Sequence, residues 1–156
     1  MPFNKLREFL DDNDVKYVVV SHSPAFTAQE IAALAHVPGK ELAKCVVIKI
    51  DGKMAIAVLP ASYRVDFDRL KEVLDTDNLE LSEEQEFRNK FPGCELGAMP
   101  PFGKLFGMET LVADSLAEDE YIAFNAGSHT ELIRLAYEDF ERLEQPRVLS
   151  FTAPVC

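Results

Sequence analysis

Apolar and polar positions along this chain change period often, so the elements it predicts are short. Phe3, Leu6, Phe9 and Leu10 recur at helical spacing. Asp11-Asp12-Asn13-Asp14 follows, with side chains that compete for backbone hydrogen bonds, so the first helix is predicted over Pro2 to about Asp12. Val15–Val20 is β-branched and aromatic and predicts a buried strand ending at Ser21-His22-Ser23-Pro24. Thr27 with Glu30 forms a capping box, and Ile31, Ala32, Leu34 and Ala35 carry a second helix to Val37-Pro38-Gly39. Cys45–Ile50 and Lys53–Leu59 flank Asp51-Gly52, two residues that tolerate positive φ, which predicts a hairpin.

Asp66 can cap a helix carrying Phe67, Leu70, Val73 and Leu74, and Ser82 with Gln85 opens another through about Lys90. From Phe91 to Gly107 the density of proline and glycine predicts a shaped loop. Strands are expected at Leu111–Asp114 and Tyr121–Asn125, with an acidic turn between them. The pattern then permits two readings. Ser128 with Glu131 fits a capping box for one helix over His129–Leu143, and the alternative is a strand at Thr130–Leu135 followed by a helix at Tyr137–Leu143. No internal repeat or linker interrupts the 156 residues, so one domain spanning 1–156 is expected.

With 47% hydrophobic and 28% charged residues the chain has material for a packed core. Its 16 Lys+Arg against 27 Asp+Glu give −11, which disfavours DNA, non-specific nucleic-acid binding and anionic membranes. A specific nucleic-acid site then needs a local positive patch. Lys40, Lys44, Lys49 and Lys53 against Glu41 and Asp51 make the hairpin locally +2, a candidate patch or a solvated face. No apolar window approaches the ~18 residues of a membrane span, and Lys5, Arg7 and Glu8 stand where a signal peptide needs its apolar run, so a cytoplasmic protein is expected. Cys45, Cys94 and Cys156 are odd in number and far apart, and His22, His36 and His129 form no short ligand pair, so chemistry without a metal or other cofactor is expected.

Three segments could carry chemistry. Lys44 enters the uncharged run Cys45-Val46-Val47-Ile48, where an ammonium can hold a phosphate or a developing negative charge, or snorkel at a sheet edge. Gly97-Ala98-Met99-Pro100-Pro101-Phe102-Gly103 pairs glycines that let backbone N–H groups approach a ligand with prolines that fix the loop; a rigid surface turn would look the same. Asn125-Ala126-Gly127-Ser128-His129 follows a strand and offers amide, hydroxyl and imidazole groups, or forms an ordinary turn. Cys45, set in an apolar strand, reads as packing rather than as a thiol nucleophile.

Taken in order, His22-Ser23-Pro24-Ala25-Phe26-Thr27 with Glu30, Ala43-Lys44 entering the Val-Val-Ile strand, Gly97 through Gly103, Ala126-Gly127-Ser128 and Glu138-Asp139-Phe140 form a recognisable series. Over almost its whole length the chain resembles the YbaK/prolyl-tRNA-synthetase-associated editing domain family of trans-acting aminoacyl-tRNA deacylases. The resemblance implies an α+β fold, a mixed, mostly antiparallel, barrel-like sheet surrounded by helices, and favours strand plus helix after His129. It implies catalytic positions at Lys44, Gly97, Ala98 and Met99. Substrate-binding positions follow at His22, Phe26, Thr27, Pro101, Gly103, Asn125, Gly127, Ser128 and His129. Several relatives carry a serine in place of Asn125 and a basic side chain in place of His129, so substrate preference is not carried over.

The implied activity is hydrolysis of the ester of a mischarged aminoacyl-tRNA as translation quality control, with tRNA for proline carrying a small wrong residue such as alanine as the expected substrate. The implied partners are the 3′ end of aminoacyl-tRNA and prolyl-tRNA synthetase. N–H groups around Gly97–Met99 would polarise the carbonyl, Lys44 would anchor the terminal phosphate or ribose, and the vicinal ribose hydroxyl would orient water. The alternatives are a non-catalytic sensor of aminoacyl-tRNA or an aminoacyl nucleotide, and a thiol hydrolase using Cys45.

Overall fold

The structure, a computed structural model, describes residues 2–21, 39–91, 94–95 and 98–154. The helix expected after Thr27 and the candidates His22, Phe26, Thr27 and Gly97 lie outside the described residues. Helix α1 (Pro2–Asp12) forms as its spacing predicts and buries Leu6 and Leu10. It ends where the Asn13 amide donates to the Phe9 carbonyl (2.8 Å) and Asp14 takes a positive φ of 56°.

The described residues then build three sheets. The first has the order β1-β8-β7 from β1 (Tyr17–Ser21), β7 (Tyr121–Asn125) and β8 (Glu131–Ala136). The second has the order β5-β2-β3-β6-β9 from β2 (Ala43–Ile50), β3 (Lys53–Pro60), β5 (Leu79–Leu81), β6 (Glu109–Ala113) and β9 (Arg147–Leu149). A third pairs β4 (Tyr63–Val65) with β10 (Thr152–Pro154). Among the described residues the ladders β3–β6 and β6–β9 are parallel and the others antiparallel, so the architecture is the expected mixed, mostly antiparallel α+β type, although the sheets do not close into one barrel. A parallel bridge between Leu42 and Ala123 joins the entry of β2 to β7.

The β2–β3 hairpin turns through Asp51 (φ 51°) and Gly52 (φ 84°), as type I′ geometry requires. Ala43 and Val47 face a core containing Leu6, Phe102, Phe124 and Phe140, and Ile48 faces a second core with Leu70 and Phe151. Both faces being covered explains the unbroken apolar run in β2. The strand expected to be buried is instead an edge among the described residues: β1 pairs there only with β8, and Val18 and Val19 are 58% and 36% exposed. β-Branched composition fits a pleated backbone and does not by itself decide burial.

Helix α2 (Phe67–Leu74) is capped by Asp66, whose Oδ1 accepts the Arg69 N–H (3.2 Å); Leu70 is buried and Val73 exposed. Helix α3 (Glu84–Phe87) is shorter than expected, and its capping box is Glu83 with Glu86. Ser82 does not cap it: its N–H donates to the Val47 carbonyl (3.0 Å) beside β5, and its buried Oγ has no hydrogen-bond partner among the described residues. The acidic turn is a short helix, α4 (Asp114–Ala117), that buries Leu116. After His129 the chain forms a strand and then helix α5 (Tyr137–Glu144), because the β7–β8 ladder from Tyr121↔Ala136 to Asn125↔Leu132 takes up the backbone groups a long helix would need. Among the described residues no helix is long and apolar enough to cross a membrane.

Candidate functional site

The two small-residue loops meet. The Glu95 N–H donates to the Gly127 carbonyl (2.8 Å) and the Gly127 N–H donates to the Ala98 carbonyl (2.9 Å). Gly127 has a φ of 97°, a conformation that disfavours any side chain, and this places both its backbone groups against the other loop. Glu95 adds a second tie, its Oε2 accepting the His129 N–H at 2.8 Å with His129 Nε2 3.9 Å from the same oxygen. Ser128 closes a local turn: its Oγ accepts the Thr130 N–H (3.3 Å) and lies 3.2 Å from Thr130 Oγ1. Its Oγ also donates to Glu131 Oε1 (3.5 Å), so the expected partners do meet, but in a hairpin turn rather than at a helix cap.

The stretch from Ala98 to Gly103 is buried throughout. The Phe102 ring packs edge-on against Phe9, Phe124 and Phe140, with centroids 5.9, 5.6 and 5.4 Å away. Gly103 turns its N–H inward to Thr110 Oγ1 (3.1 Å), and a Cβ there would lie 2.5 Å from that oxygen and 2.6 Å from the Met108 carbonyl oxygen. Its lack of a side chain therefore serves close packing, and its N–H does not face a ligand. The Ala98 N–H donates to the Glu95 carbonyl (3.0 Å) and is likewise engaged. Pro100 and Pro101 have no N–H. Among the described residues, Met99 and Phe102 are left as the members of this stretch whose N–H groups have no acceptor within the protein.

Lys44 lies half-buried at the entry of β2, and burial lowers its pKa from the ordinary lysine value. Among the described residues its ammonium makes no ion pair or hydrogen bond. The Leu42–Ala123 bridge sets Lys44 and Asn125 each two residues further along neighbouring parallel paths. Among the described residues Asn125 Oδ1 is buried without a hydrogen-bond partner, an arrangement that a ligand donor would complete. The β2 entry is held by Arg134 of β8, whose Nε donates to Glu41 (3.1 Å) while its guanidinium sits 4.3 Å from the Tyr121 ring centre.

The +2 hairpin patch does not form as expected. Lys49 pairs with Glu80 (3.0 Å) and Glu86 (2.6 Å), and its parity in β2 points it to the face opposite Lys44. Those pairings raise the Lys49 pKa and lower that of Glu86. Cys45 packs against the first core, and burial, aided by Cys94 and Glu144, pushes its thiol well above the ordinary range. Burial also takes Cys94 to about 11. A thiolate nucleophile is thus disfavoured at neutral pH. Sequence reasoning missed Glu95, Arg134, Thr110 and Glu144. Each becomes visible only through a partner far along the chain.

Residues 22–143 match the family model for the aminoacyl-tRNA editing domain, and the chain belongs to that family. Among its relatives is the Multifunctional Ser/Thr-tRNA deacylase ProXp-y of Escherichia coli (strain K12), 27% identical over 153 residues that cover 94% of this chain and 90% of that protein. A proline–tRNA ligase of Staphylococcus saprophyticus is 36% identical over 95 residues, which cover 60% of this chain and 16% of the ligase. A solved structure described as a candidate trans-editing enzyme for prolyl tRNA synthetase superposes with a TM-score of 0.81 at 17% identity, over 97% of each chain, a likeness of fold.

Proposed function

We propose that this protein acts in trans on mischarged aminoacyl-tRNA and hydrolyses the ester between the wrong amino acid and the 3′-terminal ribose. The observation that carries this reading is the Lys44 ammonium, without a partner among the described residues, on the strand beside Asn125, at the end where the two cross-tied loops meet. Water attacks the ester carbonyl, the bond from that carbon to the ribose oxygen breaks, and the ribose oxygen takes a proton. The Met99 N–H supports the oxyanion, and its neighbour Gly97 belongs to the same proposed donor set. Lys44 holds the terminal phosphate or ribose, and the vicinal ribose hydroxyl orients the water. No protein nucleophile takes part, in keeping with the protonated state that burial favours for Cys45.

The buried acceptor Asn125 Oδ1 suits the substrate's α-ammonium or the hydroxyl of a seryl or threonyl group. Alanine on tRNA for proline is the first substrate to test, and the name of the E. coli relative adds serine and threonine. The remaining proposed substrate contacts are His22, Phe26, Thr27, Pro101, Gly127, Ser128 and His129, with prolyl-tRNA synthetase as the source of the mischarged tRNA. The test is single-turnover release of labelled amino acid from alanyl-, seryl- and threonyl-tRNA, with correctly charged prolyl-tRNA as control. Release from a mischarged tRNA with the control intact supports the reading. Tight binding without release would overturn it in favour of a sensor.

A further inference from the structure

We infer that Glu144, at the end of α5, is a positioning residue that holds the Ala98–Gly103 loop and so sets where the Met99 N–H points. The inference rests on the reading above that this loop faces the ester.

Glu144 is only 3% exposed. Its Oε1 and Oε2 accept the Lys104 N–H at 3.1 and 3.2 Å, and Oε2 also accepts the Thr110 hydroxyl at 3.2 Å. Thr110 in turn accepts the Gly103 N–H. The tie is reciprocal, because Lys104 Nζ donates to the Leu143 carbonyl (3.2 Å) and to Gln145 Oε1 (3.3 Å) at the C-terminus of α5. One carboxylate therefore fixes the two residues that close the loop, and the loop's own lysine caps the helix that carries it.

The polar and titratable groups facing Glu144 are the Thr110 hydroxyl from β6, the Lys104 N–H and ammonium from the turn, and the Cys45 thiol from β2. None makes a direct ion pair with it, and burial takes its pKa up to about 7. Opening the clasp would return the carboxyl to water, where it ionises near pH 4.5, so a proton on Glu144 favours the closed clasp. The clasp therefore loosens as pH rises through neutrality.

Glu144→Ala should lower single-turnover kcat about tenfold with KM within twofold, and speed amide exchange at Gly103 and Lys104 by more than tenfold. Glu144→Gln, which mimics the protonated group, should keep kcat, and the ratio of wild-type to Gln-variant kcat should fall between pH 6 and pH 8. A folded Ala variant with wild-type kcat or wild-type exchange overturns the inference, as does a pH-independent ratio. Should the Ala variant not fold, the ratio decides. Should the wild-type protein release no amino acid from any tRNA, the proposed reaction fails, and exchange at Gly103 and Lys104, compared between wild type and the Gln variant at pH 6 and 8, decides the clasp alone.

Discussion

Replacing Gly103 with alanine tests how tightly the loop is seated. The added methyl would meet Thr110 Oγ1 at 2.5 Å and the Met108 carbonyl oxygen at 2.6 Å, both inside any real Cβ contact. The Met108 carbonyl cannot easily withdraw, because the Met108 N–H is itself bonded to the Gly103 carbonyl (2.8 Å). Thr110 can rotate away only by releasing both the Gly103 N–H and Glu144. Overpacking of this kind costs about 1–3 kcal/mol, and each hydrogen bond lost adds roughly 0.5–1.5 kcal/mol. With both bonds lost a total of about 2–6 kcal/mol follows, which lowers the Tm of a domain this size by about 5–20 °C. Urea and thermal unfolding measure it. In a Thr110→Ala background one of the two clashes is gone, so the same substitution should cost less by about 1 kcal/mol. A Gly103→Ala protein within about 0.5 kcal/mol of wild type would refute the argument from close packing.

Lys44→Met should reduce single-turnover deacylation about a hundredfold while circular dichroism stays native, since among the described residues the ammonium has no partner to abandon. Cys45→Ala should cost about 1 kcal/mol of stability and leave turnover intact. Glu144→Gln should match wild-type stability near pH 4.5 and exceed it at pH 8. The sign follows from a folded pKa of about 7 above the unfolded 4.5, so wild-type stability present below pH 4.5 is lost as pH rises to 7, by up to about 3 kcal/mol in urea titrations. tRNA binding should show a log–log salt slope of roughly −1.4 to −2.7 from two or three contacts by Lys40, Lys44 and Lys53. Lys49→Gln should leave that slope unchanged, because its charge is already held by Glu80 and Glu86.

What could be read from the sequence was local. The Asp51-Gly52 turn, the Asp66 cap and helix α1 depend on neighbours within a few residues, and each stands where its pattern put it. The Lys44, Gly97–Gly103 and Asn125–His129 segments were also legible as candidates. Their junction was not, since it depends on hydrogen bonds from Glu95 to Gly127 and from Gly127 to Ala98 across some 30 residues. Ser82 and Ser128 were misread because strand pairing decides their neighbourhood: the Ser82 N–H bonds to Val47 on β2, and Ser128 lies in the turn that joins β7 to β8. Glu144 resembles any acid on an amphipathic helix until Thr110 and Lys104 are folded against it.

The pairing of β1 with β8 also bears on how the chain leaves the ribosome. Ser21 lies opposite Glu131, so β1 emerges 110 residues before its partner. At synthesis rates of about 5–20 residues per second it waits roughly 5–20 s. During that interval Tyr17–Ser21 is an unpaired apolar strand, open to other nascent chains on the same message. Closing so long a loop is also slow, so the β1–β8 ladder should form last, and β8 is also the strand that pairs with β7, which carries Asn125. Activity should therefore be absent from chains released before β8 is complete, and yield should depend on how well those seconds are guarded by chaperones.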